Sequence, residues 1–158
     1  MLKNSLIAVK FIIMSIDFDA LEEGSGKDFQ STLKNIPGSL SRSTAKQFFD
    51  VSINVLNNDS VELDNKSRLL IAICKAIGEN DYLKEFVSGK YLTKLPYENE
   101  DLQVQLFDVL YTVASGSPLA LTREVAQKME TILPASPRRA LGVLVVYGKN
   151  FNAVSKAN

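Results

Sequence analysis

Leu69-Leu70-Ile71-Ala72-Ile73-Cys74-Lys75-Ala76-Ile77-Gly78 is apolar throughout except at Lys75. Asp64 upstream can cap a helix over this stretch and Gly78 can close it. A helix so apolar must be covered nearly all round, which a single partner helix cannot do. Two later stretches repeat the pattern: Leu106-Phe107-Asp108-Val109-Leu110-Tyr111-Thr112-Val113-Ala114 and Ala140-Leu141-Gly142-Val143-Leu144-Val145-Val146-Tyr147-Gly148. The run Val143–Tyr147 has the β-branched content of a strand, but no second strand pairs with it, so it reads as helix.

Shorter amphipathic stretches precede these runs. Leu2, Leu6, Val9, Ile13 and Ile16 fall on one side of a first helix, with Lys3, Lys10 and Asp17 opposite. This start resembles a signal peptide superficially, but Lys10 breaks the apolar middle and the run is short of the ~20 residues of a membrane span. Packed helix and targeting segment both stay open there. Asp17 to Lys27 reads as a loop with a helical turn near Ala20–Glu23, followed by a helix from about Lys27 to Ile36 that Pro37-Gly38 ends. Ser41 or Ser43 can cap the next helix, which runs to the turn at Asn57–Ser60. Asp81 opens a helix to about Val87, with a short turn from Lys90 to Leu95 before Pro96. In Asn99–Ser115, Leu102, Leu106, Val109 and Val113 form one stripe, opposite Asp101, Gln105, Asp108, Thr112 and Ser115. Thr122 caps a helix ending at Pro134, and Ser136-Pro137 starts the last one.

Helix pairs therefore begin near Leu2, Ser43, Asp81 and Thr122, an interval of roughly 40 residues, within the range of helical repeat arrays. Stacked pairs shield one another, so the second helix of each becomes apolar almost all round. On this period and pattern the chain resembles armadillo/HEAT-type helical repeats and, more distantly, TOG domains. The resemblance implies an all-α, right-handed α-solenoid of about four antiparallel helix pairs over residues 1–158. A compact helical bundle is the competing fold. The final helix lacks a clearly polar capping face, which fits a segment of a longer protein.

Composition narrows function further. Eighteen basic and eighteen acidic residues balance, so no global field draws the chain to nucleic acid or anionic membrane. The absence of histidine removes the usual neutral-pH general base and nearly all zinc sites. Tryptophan is also absent, leaving few stacking platforms for single strands. The single cysteine, Cys74, reads as an inert core thiol in a reducing, cytoplasmic or nuclear setting. No phosphate-loop, dinucleotide, C-x-x-C, H-E-x-x-H or EF-hand motif is present. Gly24-Ser25-Gly26-Lys27 lacks the strand and earlier glycine of a phosphate loop and reads as a flexible turn. Glu98-Asn99-Glu100-Asp101 reads as charge placed at a helix N-terminus and not as a cation site.

The expectation is a non-catalytic scaffold, without metal or small-molecule cofactor, that binds a peptide or protein surface on its concave face. Its candidate binding residues are the polar ones embedded in the second helices: Arg68, Lys75, Gln105, Asp108 and Thr112. Ser136-Pro137-Arg138-Arg139 resembles a proline-directed phosphorylation pattern at Ser136, although a helix start with solvated arginines is the simpler reading. The alternative is a nucleic-acid- or membrane-associating module using Lys3, Lys10, Lys34, Arg42 and Lys46.

Overall fold

The computed structural model describes residues 16–87 and 91–116, together with Gln127 and Arg138. Its regular elements there are all helical: α1 (Phe18–Glu23), α2 (Gly26–Ser39), α3 (Arg42–Leu56), α4 (Leu63–Glu79), α5 (Asp81–Phe86) and α6 (Gln103–Gly116). A 3-10 turn at Glu100–Leu102 leads into α6, and Asn99 caps that turn by accepting from the Asp101 backbone N–H at 3.2 Å. Gln127 and Arg138 are helical as well. The helix expected over residues 2–16, the remainder of the Thr122 and Ser136 helices and the 143–147 run lie outside the described residues.

Local chemistry sets the helix ends, and four features differ from expectation. Asp17 accepts from the Ala20 backbone N–H at 3.1 Å, so residues 18–23, expected mostly as loop, form a capped helix. Pro37 does not end α2, which continues to Ser39. A proline in the last turn forfeits only its own N–H, and the Leu40 N–H still reaches the Ile36 carbonyl at 3.1 Å. At α4 the cap position belongs to Glu62, while Asp64 sits in the first turn and pairs with Arg68 at 2.9 Å. Gly78 stays helical; the helix closes at Asn80, whose side chain donates to the Ala76 carbonyl at 2.8 Å. The cap of α3 is Ser41, whose backbone N–H donates to Thr44 Oγ1 at 3.0 Å.

The most extensive contacts are those of α4 with α6 and α2, followed by α1 with α3 and α1 with α2. Among the odd-numbered helices, α3 packs on α1 and on α5; among the even-numbered ones, α4 packs on α2 and on α6. In addition α1 meets α2, α3 meets α4, and α5 meets both α4 and α6. Helices α2 and α4 run in the same direction. The Asn65 side chain near the start of α4 donates to the Gly24 carbonyl just before α2, and Pro37 late in α2 shares a groove with Ile71 and Lys75. One hydrophobic core joins all six helices. Within it, Phe49 stacks among Phe48, Phe86 and Tyr91, with ring centroids 5.0, 5.9 and 5.4 Å away.

Candidate functional site

Helix α4 shows how the face arises. Leu69, Leu70, Ile73, Ala76 and Ile77 point inward and are buried. Asp64, Arg68, Ile71, Lys75 and Gly78, recurring every three or four residues, form the opposite, exposed stripe. Asn65 and Ala72 flank this stripe toward α2, and Cys74 flanks it toward α6.

Two open clefts border the stripe and share Ile71 and Lys75. The cleft between α4 and α6 is lined by Cys74, Lys75, Gly78, Gln105, Asp108 and Thr112. Here the Cys74 thiol lies 3.2 Å from Thr112 Oγ1, and Thr112 also donates to the Asp108 carbonyl at 2.8 Å. The cleft between α2 and α4 holds Leu33, Lys34, Pro37, Arg68 and Ala72 beside the shared pair. Their volumes, about 330 and 320 Å³, lie at the small end for a ligand pocket and suit individual side chains of a larger partner.

Four of the five residues singled out from sequence, Lys75, Gln105, Asp108 and Thr112, therefore line one cleft. Arg68 lines the adjoining one, beside Lys75. Ser136 lies outside the described residues. The face also contains residues that pattern reading passed over. Ile71, read as core, is 56% exposed, and Lys34 and Pro37 come from α2. The missed signal is the spacing Asp64, Arg68, Ile71, Lys75, a polar stripe with an isoleucine set inside it.

The charges on the face are uneven. Arg68 is held by Asp64, and its guanidinium lies 3.5 Å from the Gln30 side-chain oxygen. Among the described residues, Lys34, Lys75 and Asp108 form no ion pair. The Gln105 side-chain oxygen is buried without a hydrogen-bond partner.

Elsewhere the groups that drew attention have structural roles. Cys74, read from sequence as a core thiol, is only partly buried and lines the α4–α6 cleft itself. Gly24 and Ser25 make the turn between α1 and α2, and Gly26 and Lys27 begin α2, with φ of 68° at Gly24 and 91° at Gly26. Glu100 and Asp101 occupy the first turn of the 3-10 segment. Among the described residues, no group of three or more His, Cys, Asp or Glu side chains could hold a metal, and no helix is long and apolar enough to cross a membrane.

No family model matches the chain, and no curated protein or solved structure shows significant similarity to it.

Proposed function

We propose that the chain is a non-catalytic α-solenoid segment that binds a peptide or a protein surface along the exposed face of α2, α4 and α6. The observation that carries this reading is the convergence of Arg68, Lys75, Gln105, Asp108 and Thr112 on adjoining clefts around the exposed Ile71. What supports the solenoid part is that α4 packs chiefly on α2 and α6 and that α3 packs on α1, contacts that stacked pairs make. In a stack of this kind the second helices, here α2, α4 and α6, line the concave surface. Exposed apolar surface rimmed by polar groups is the usual composition of a protein-binding patch.

The alternative basic surface has less behind it. Lys3 and Lys10 lie outside the described residues. The Arg42 guanidinium lies 5.3 Å from the Tyr82 ring centroid. Lys46 pairs with Asp50 at 2.9 Å, and that hydrogen bond holds its ammonium pKa above the ordinary range. Lys34 belongs to the α2–α4 cleft instead.

The test is calorimetric. A partner identified by affinity purification is titrated into the wild-type chain and into Ile71→Asp, Lys75→Glu and Asp108→Lys. The proposal expects each change to weaken binding by about fivefold or more, with the helical circular dichroism signal intact. Unchanged affinity in all three would reject this face as the binding surface.

A further inference from the structure

We infer that the α2–α4 half of the face receives a segment of another protein in which an apolar side chain is flanked by carboxylates, an inference that rests on the protein-binding role proposed above. The floor of this groove is apolar, formed by Leu33, Pro37, Ile71 and Ala72, and its rim carries the three cations Lys34, Arg68 and Lys75. No carboxylate lines it. Asp64, which holds Arg68, stands at the N-terminal end of α4 and is itself largely exposed, so it leaves the groove cationic. Lys34 and Lys75 have no ion-pair partner among the described residues.

Charge complementarity then fixes the occupant. An apolar side chain covers Ile71, and acidic neighbours meet Lys34 on α2 and Lys75 on α4, one from each wall. This gives orientation and charge selection, which surface charges supply more effectively than raw affinity. A nucleic acid suits the groove less well, because an apolar floor with three cations offers neither a long phosphate track nor aromatic rings for base stacking. A second copy of the chain could present Asp108 between the exposed Val104 and Tyr111 of its α6. Such head-to-tail pairing would grow open-ended assemblies, and sedimentation reveals it.

A random peptide library displayed on phage and selected on the full chain is the direct probe, followed by fluorescence anisotropy with synthetic copies of the selected peptides. Variants Lys34→Glu/Lys75→Glu and Ile71→Asp alter exposed side chains, and their helical content and melting temperature are checked against wild type. The selected peptides are expected to share an apolar residue flanked by Asp or Glu. Their affinity falls about tenfold or more in the double lysine variant. A charge-inverted peptide, with Lys and Arg replacing the acids, binds the double variant better than wild type. Peptides without acidic enrichment that still lose binding with Ile71→Asp would overturn the inference and leave the binding face standing. Peptides indifferent to Ile71→Asp and Asp108→Lys, or no selected peptide at all, would count against both. Concentration-dependent self-association abolished by Asp108→Lys, or tighter binding to single-stranded RNA than to any selected peptide, would also overturn it.

Discussion

Gly24 closes α1 in the left-handed region, and a Cβ there would stand 2.8 Å from Val61 Cγ2. Both the backbone angle and the clash oppose a side chain, so Gly24→Ala is expected to cost about 2–3 kcal/mol in urea unfolding. Gly78 is the control. It is helical, and a Cβ would meet only Thr112 Cγ2 at an ordinary 3.8 Å, so Gly78→Ala should stabilise by about 0.5–1 kcal/mol. Tyr97 is buried, and its hydroxyl donates to the Leu92 carbonyl. Burial pushes its phenol pKa well above the ordinary value of 10.0. The neutral phenol thus contributes stability that is complete below about pH 10, where the unfolded chain keeps its proton, and is lost as the pH climbs further. Tyr97→Phe should cost about 1–2 kcal/mol at neutral pH. The gap to wild type should narrow when unfolding is repeated above pH 10, and a gap constant across that range would contradict the assignment.

At the scale of the elements, the apolar runs 69–78 and 106–114 were legible because helical periodicity survives wherever a helix has one covered side. The stripe of Leu102 in the 3-10 turn and Leu106, Val109 and Val113 in α6 is buried as its spacing predicts. Helix ends were less legible because capping depends on side-chain geometry that residue type alone leaves open. Asp64 is a good cap by type, yet it pairs with Arg68 one turn on, and Asn80 replaces Gly78 as terminator. Ile71 was misplaced for a related reason: a continuous apolar run hides which member points outward, and only the neighbouring Asp64, Arg68 and Lys75 reveal it. Helix α3 carries the aromatic cluster that joins it to α5. Phe49→Ala leaves a cavity among Phe48, Phe86 and Tyr91, and is expected to lower stability by about 3–5 kcal/mol in denaturant titration.

At the scale of the whole molecule, the proposed function depends on α4 standing between α2 and α6, so that three second helices offer one continuous face. Period and pattern raise the expectation of such stacking, while the proposed acidic partner rests on α2 bringing Lys34 and Pro37 beside α4. No sequence spacing links those residues to Lys75. Spin labels at Lys34→Cys and Asp108→Cys, in a chain with Cys74→Ser, measure the span across this face by electron paramagnetic resonance. Two helix spacings of about 8–10 Å each predict a label separation centred near 20 Å. A distribution centred near 10 Å, one helix spacing, would put α2 directly against α6 and contradict the stacked arrangement.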